Sequence, residues 1–274
     1  MHQIQLLKKY ELSVRGFRGQ HLLVDENIQR KFVAAVDPRP TDTIVEIGPG
    51  LGAITELLLA GGSEVIAIEQ DSRFVEILKG ELGSDYERLK LIHQDVLKAD
   101  FGKIAGKKKL KVAGNIPYYI TSDILLHLIR YRKHIDSAYL TVQREIADRI
   151  FAQPASKAYG RLSLLVRFYS DVRRVFEISR NCFSPRPKVD STTIELIFHG
   201  KLPSEVDETL LFDLIKHGFG KRRKNITNAL SEGFSVPKEK IKALLAAAGI
   251  EETARAEELM LKDFIRLAEV FGKC

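Results

Sequence analysis

The sequence predicts an α/β fold: a mostly parallel seven-stranded sheet with an antiparallel edge strand, followed by a small all-helical C-terminal domain. Three observations predict it. From Thr41 to about residue 142, short β-rich runs alternate with amphipathic stretches of helical period, the signature of parallel strands joined by crossover helices. A turn rich in glycine, Gly48-Pro-Gly50-Leu-Gly52, falls where the first strand gives way to a helix. Near Asp171 the alternation stops, and beyond residue 204 only helical periodicity remains.

The first strand is 43–47 (TIVEI), and a helix over 53–60 follows the glycine turn. Residues 64–69 (EVIAIE) form the next strand, and 72–82 a helix with Phe74, Val75 and Leu78 on its apolar side. Strands at 89–93, 110–113 and 138–142 continue the sheet, with a helix over 122–131 (SDILLHLIRY) between the last two. Residues 172–178 and 192–198 lie too close together for a long intervening helix and read as an antiparallel hairpin at the sheet edge. The break 199–204 (HGKLPS) separates a domain of residues 1–200 from a helical one of 201–274, where 238–248 and 257–271 are helices.

Composition narrows the class. The formal net charge of +7 favours a polyanionic partner, though only modestly by itself. Cys182 and Cys274 stand far apart, outside any Cys/His cluster, which argues against a disulfide framework or structural zinc; no metal is expected. The N-terminus lacks the apolar core of a secretory signal, and no run approaches the roughly 20 apolar residues of a membrane span. A cytoplasmic or organelle-matrix protein is expected, with no membrane partner.

The segment Glu46-Ile-Gly48-Pro-Gly50-Leu-Gly52 follows a strand and opens a helix. Glycines there permit a sharp turn and close approach of a ligand, and the helix start offers free N–H groups. Glu69 ends the following strand, where a carboxylate can accept from a ribose diol. Nicotinamide dinucleotides and S-adenosylmethionine both bind this way, so the loop leaves the two open. His93, ending another strand, reads as a packed or edge histidine.

Gly114-Asn115-Ile116-Pro117-Tyr118 bears on that choice. It follows the strand at 110–113 and should face the glycine loop across the carboxyl ends of the strands. An adenine exocyclic amine is a poor nucleophile because its lone pair is delocalised into the ring. The Asn115 amide oxygen and the Ile116 carbonyl can accept its N–H bonds and so free the lone pair for a sulfonium methyl. Pro117 stiffens the loop, and Tyr118 can stack on a flipped-out base. Hydride transfer finds no candidate partner.

Together with Gln20-His21-Leu22-Leu23, His93-Gln94-Asp95, Ser156–Ser163, Phe183-Ser-Pro185-Arg-Pro187-Lys188-Val-Asp190-Ser191 and Arg255-Ala-Glu-Glu-Leu259, these motifs occur in the order seen in the rRNA adenine dimethyltransferases. Over about residues 17–268 the chain resembles that family, most of all its KsgA (RsmA) branch. The resemblance implies a Rossmann-like class I methyltransferase fold and an S-adenosylmethionine site formed by Gln20, His21, Leu23, Gly48, Gly50, Gly52, Glu69, Gln70, Asp95, Val96 and Asn115. It implies catalysis by Asn115, Ile116, Pro117 and Tyr118, with Phe183 sandwiching the base opposite Tyr118. The substrate would be two adjacent adenosines near the 3′ end of 16S rRNA in the small ribosomal subunit, dimethylated during ribosome biogenesis by a monomer in the cytoplasm. The bacterial pattern usually reads Gln-Asn-Phe-Leu where this chain has Gln20-His21-Leu22-Leu23, so a contact made by a backbone atom survives while an asparagine side-chain role does not.

For RNA, Lys221-Arg222-Arg223-Lys224 is the densest basic run and is expected to grip phosphates in a salt-sensitive way. Arg144, Arg149, Lys157 and Arg161 flank the expected mouth, Arg161 being equally suited to bracing a helix. Tyr159 is expected either to order a loop over the site or to be a surface aromatic. The rivals are an Erm-type enzyme acting on 23S rRNA and a non-catalytic ribosome-assembly or transcription factor.

Overall fold

A computed structural model describes residues 3–12, 20–82, 87–221 and 223–273. In chain order the elements of the first part are α1 (Gln3–Lys9), β1 (Leu22–Leu23), α2 (Glu26–Val36), β2 (Thr43–Ile47), α3 (Ala53–Ala60), β3 (Glu64–Glu69), α4 (Ser72–Leu82), β4 (Leu89–His93), α5 (Phe101–Ala105), β5 (Leu110–Asn115), α6 (Thr121–Arg130) and β6 (Ile135–Gln143). Then come α7 (Arg144–Phe151), α8 (Arg161–Tyr169), β7 (Ser170–Ile178), β8 (Phe183–Ser184), β9 (Ser191–Phe198), α9 (Glu208–Gly218), α10 (Ile226–Phe234), α11 (Lys238–Ala247) and α12 (Leu261–Phe271). Contacts group the chain into two units, 1–147 with 171–198 and 148–170 with 199–274.

The first unit is built on a seven-stranded sheet of order β4-β3-β2-β5-β6-β9-β7. Strands β4, β3, β2, β5 and β6 run parallel, while β9 lies antiparallel to β6, from Ser137 opposite Ile197 to Gln143 opposite Ser191. The antiparallel strand therefore fills the free ladder of β6, one position in from the β7 edge. Strand β2 is buried along its whole length, as a central strand covered on both faces must be. Side chains such as Phe32, Ile44 and Leu58 are wholly buried in the core, each contributing roughly 1.5–3 kcal/mol.

Local signals fix the helix ends. Asp25 caps α2 by accepting the Ile28 N–H at 3.1 Å, and Phe32, Val33 and Val36 bury one face of that helix. Strands β1 and β8 form a two-residue antiparallel ladder, Leu22 opposite Ser184 and Leu23 opposite Phe183. It ties the segment after residue 20 to the loop that precedes β9. So short a pairing has no periodicity to read in the sequence. Helix α1 adds Leu6 to a cluster with Leu22, Leu51, Phe74 and Ile77, and Gln3 Nε2 donates to the Leu23 carbonyl at 3.0 Å.

The second unit is helical. Residues 148–170, which the sequence groups with the sheet, pack here instead: the Ala155 N–H donates to Glu257 O at 2.7 Å and Arg167 Nη2 to Ala152 O at 2.8 Å. Tyr159 is not a surface aromatic. It is buried, donates its hydroxyl to Leu259 O at 2.9 Å and packs edge-on against Phe219. The helix expected over 257–271 begins only at Leu261, because Met260 is extended and its N–H is capped by Asp263 Oδ2 at 2.8 Å.

Candidate active site

Gly48, Gly50 and Gly52 all have positive φ, +67°, +57° and +82°, a conformation that side-chain-bearing residues rarely adopt. A Cβ on Gly50 would also meet Leu22 Cδ2 at 2.9 Å. Glu69 holds this turn. One of its oxygens accepts the Gly50 N–H at 3.2 Å, and the other accepts from Gln70 N and Asp71 N at 2.7 and 2.8 Å. Burial pushes the Glu69 carboxyl up, and the three backbone donors oppose that rise. Beneath it, Glu46 is wholly buried. Burial first, and the nearby Glu69 charge second, push its carboxyl up to about 8, against the Thr55 hydroxyl beside it. Neither Glu46 Oε2 nor Thr55 Oγ1 has a well-formed hydrogen bond.

A cavity of about 750 Å³ opens at the carboxyl ends of β2, β3, β4 and β5, where ligands of such sheets bind. Of the residues expected at a cofactor, Gln20, Gly48, Glu69, Gln70, Asp95 and Val96 line it. His21, Leu23, Gly50, Gly52 and Asn115 are not among the residues that line it. Asp95 spends Oδ1 on the Leu97 N–H at 2.9 Å, and a carboxylate has further acceptor positions. Tyr119 also lines the cavity and is 54% exposed. Sequence reasoning passed over it, and the doubled tyrosine in Pro117-Tyr118-Tyr119 is the signal that was there.

The second motif lies directly alongside. A Cβ on Gly114 would fall 2.6 Å from the Ile47 carbonyl oxygen, so only glycine lets the ends of β5 and β2 approach this closely. A Cβ on Gly48 would lie 4.0 Å from Asn115 O, which makes the glycine turn and the Asn115 loop neighbours. Asn115 Nδ2 donates to the His21 carbonyl at 2.7 Å, while Asn115 Oδ1 is buried with no partner. Ile116 is buried, and Pro117 O accepts from Thr121 Oγ1 at 3.3 Å, bracing the turn into α6.

Tyr118 shares a 2.6 Å hydrogen bond with Ser191 Oγ, and its ring lies 5.3 Å from that of His21. Burial pushes its phenol up. Phe183 is 4% exposed and packs in the core cluster with Leu23 and Ile178. Phe183 therefore presents no open ring face for a base.

The basic residues divide between the units. Arg144 belongs to the first, where its N–H donates to Asp190 O at 3.0 Å. Arg149, Lys157, Arg161, Lys221, Arg223 and Lys224 belong to the second, and Arg222 lies outside the described residues, as does Cys274. Arg161 lies over the Phe212 ring, 5.6 Å from its centroid, the bracing contact. Lys221 and Lys224 both pair with Glu232, holding its carboxyl down to about 2, whereas Arg223 is exposed. Lys108 pairs with Glu64 at 2.9 Å, and His93 sits at an edge with Nε2 3.2 Å from Gln70 O.

The sheet order, the glycine turn held by Glu69 and the cavity at the strand ends define a Rossmann-like, S-adenosylmethionine-dependent methyltransferase. The donor set fits that cofactor: carboxylates at Glu69 and Asp95 for hydroxyl and amine hydrogens, and backbone left uncovered at Gly48. Residues 12–273 match the family model described as ribosomal RNA adenine dimethylase. The chain is 38% identical to the ribosomal RNA small subunit methyltransferase A of Lachnoclostridium phytofermentans, over 98% of this chain and 96% of that one. Among solved structures it resembles a dimethyladenosine transferase from Plasmodium falciparum (TM-score 0.77, 28% identity, 92% of this chain and 98% of that one). It shares its fold with the 23S rRNA methyltransferase ErmE (TM-score 0.68, 24% identity, 92% and 99%). The chain belongs to the ribosomal RNA adenine dimethylase family.

Proposed function

We infer that the protein dimethylates the exocyclic amines of two adjacent adenosines near the 3′ end of small-subunit rRNA, using S-adenosylmethionine, as a step in ribosome biogenesis. The observation that carries the reading is Asn115 Oδ1: a buried acceptor without a donor, beside the glycine turn that borders the cavity. Unpaired buried acceptors are costly, and an amine hydrogen is the partner this one lacks.

The bound cofactor supplies an electrophilic methyl on a positively charged sulfur. Glu69 and Asp95 accept from its sugar and base, Gln20, Gln70 and Val96 complete the wall, and Gly48, Gly50 and Gly52 shape the turn that admits it. Asn115 Oδ1 and the Ile116 carbonyl accept the target N–H bonds and turn the nitrogen lone pair toward the methyl. Pro117 keeps the loop rigid, Tyr118 stacks on the base, and Phe183 backs the pocket from the core. Rate then comes from positioning and hydrogen-bond polarisation, without a titrating base.

The helical unit is read as the rRNA-contacting domain, with Lys157, Arg161 and the 221–224 run as its contacts, Arg223 being exposed among the described residues of that run. Arg144 of the first unit is read as a further contact. Among the described residues no helix is long and apolar enough to cross a membrane. A cytoplasmic monomer fits a ribosomal substrate, and gel filtration tests the monomer.

The deciding experiment incubates the protein with labelled S-adenosylmethionine and under-methylated 30S or 50S particles, then identifies the modified nucleoside. Dimethyladenosine from 30S alone supports the reading. Label confined to 50S moves the chain to Erm-type chemistry, and cofactor binding without label in either moves it to a binding-only role.

A further inference from the structure

Three separated segments meet at His21. Its carbonyl accepts the Asn115 Nδ2 hydrogen at 2.7 Å, its Nδ1 lies 2.6 Å from Pro185 O, and its ring faces Tyr118 at 5.3 Å with the planes inclined by 30°. A carbonyl oxygen can only accept, so Nδ1 carries the proton in the Pro185 contact. The pairing of Leu22 with Ser184 and of Leu23 with Phe183 sets the spacing of the two segments. Tyr118 is fixed at its far end by Ser191. His21 itself stands outside the wall of the cofactor cavity.

The Asn115 amide has a donating and an accepting end. Which end is left for a ligand depends on what occupies the other. Because the His21 carbonyl takes the NH2 group, Oδ1 is the end that remains. A flipped amide would present donors to an amine and repel it.

We propose that His21 is a positioning residue for the methyl-acceptor half of the site. Its imidazole, anchored on Pro185 and Tyr118, holds its own carbonyl where it sets the Asn115 amide with Oδ1 as the free acceptor. The proposal rests on the methyl-transfer reading of the site.

Three variants separate the contacts. His21→Phe keeps a ring for Tyr118 and loses the Pro185 donor. His21→Asn keeps a donor near the Nδ1 position and loses the ring, and His21→Ala loses both. The readouts are kcat on 30S particles at saturating cofactor, the Kd for S-adenosylhomocysteine, and hydrogen exchange of the Asn115 side-chain amide by NMR, its signal assigned by its loss in Asn115→Ala.

His21→Ala should lower kcat roughly ten- to a hundredfold, the scale of a small misplacement of a reacting group. Its Kd should stay within about threefold and its Asn115 amide should exchange about tenfold faster, with each of the other variants recovering part of the loss. Weakened cofactor binding with kcat retained, or amide exchange unchanged, overturns the proposal. Should His21→Ala fail to fold, the Phe and Asn variants are judged by the same criteria. If the wild-type protein methylates neither subunit, the methyl-transfer reading fails, and amide exchange alone then decides the positioning role.

Discussion

The two sides of the site are built on opposite principles. On the cofactor side, Glu69 places three backbone N–H groups on its two oxygens, and the turn it holds is assembled from residues within about one βαβ unit. On the acceptor side, Asn115 reaches back to His21 across 94 positions, Tyr118 forward to Ser191 across 73, and His21 to Pro185 across 164. On the first side both oxygens of Glu69 already hold backbone partners before any ligand arrives. The second keeps Oδ1 of Asn115 unpaired and surrounds it with long-range braces. Affinity should therefore depend on the local motif, and turnover on the distributed one.

The largest effect expected is on the acceptor side. Asn115→Ala should reduce kcat by about a hundredfold or more, the scale of losing a preorganised hydrogen-bond partner of the transition state. Its Kd for S-adenosylhomocysteine should stay within a few-fold, and calorimetry beside single-turnover kinetics would read both. A parallel collapse of affinity would merge the two sides into one.

Glu69→Ala should do the converse. It removes the acceptor for Gly50, Gln70 and Asp71 and should weaken cofactor binding roughly tenfold or more, given about 1–3 kcal/mol for each buried group left unpaired. At saturating cofactor, kcat should recover most of its value. Gly114→Ala tests the seam between the sides. Its Cβ would collide with the Ile47 carbonyl, so affinity and turnover should fall together, with a loss of about 1–3 kcal/mol in stability measured by urea unfolding.

Glu46→Gln carries the smallest effect, and it is one of pH. The folded carboxyl sits near 8, above its ordinary 4.5, so the folded state binds the proton more tightly than the unfolded chain does. Wild-type stability should then fall as pH rises from about 5 to 8, by an amount on the order of a kcal/mol or more. The amide variant, which does not titrate, should lose that slope. Equal slopes in denaturant melts at pH 5, 7 and 9 would show that Glu46 is not the group responsible.

This contrast also explains what could be read from the sequence. The strands 43–47, 64–69 and 89–93 and the helices 53–60 and 72–82 are continuous in sequence and carry their own periodicity, and the structure has the same bounds. Asn115 and Tyr118 could be marked as chemistry-bearing because they lie at and just past a strand end. Their partners could not. A two-residue ladder such as Leu22–Leu23 with Phe183–Ser184 leaves no pattern, and the core packing of Phe183 depends on that ladder. Tyr119 stands beside Tyr118 in the sequence, but only its 54% exposure at the cavity marks it as part of the site. The grouping of 148–170 with the helical unit depends on tertiary hydrogen bonds such as that of Ala155 to Glu257, which no local window contains.

Lys221 and Lys224 arrive with their neutralising charge already attached. These two lysines hold the Glu232 carboxyl down to about 2, so a polyanion approaching their exposed ammonium groups meets a charge already partly offset by a carboxylate that is fixed to the protein. A tethered carboxylate gains no mixing entropy on release, unlike the mobile ions condensed along a nucleic acid. The pair should therefore draw a polyanion less strongly than two unpaired lysines would.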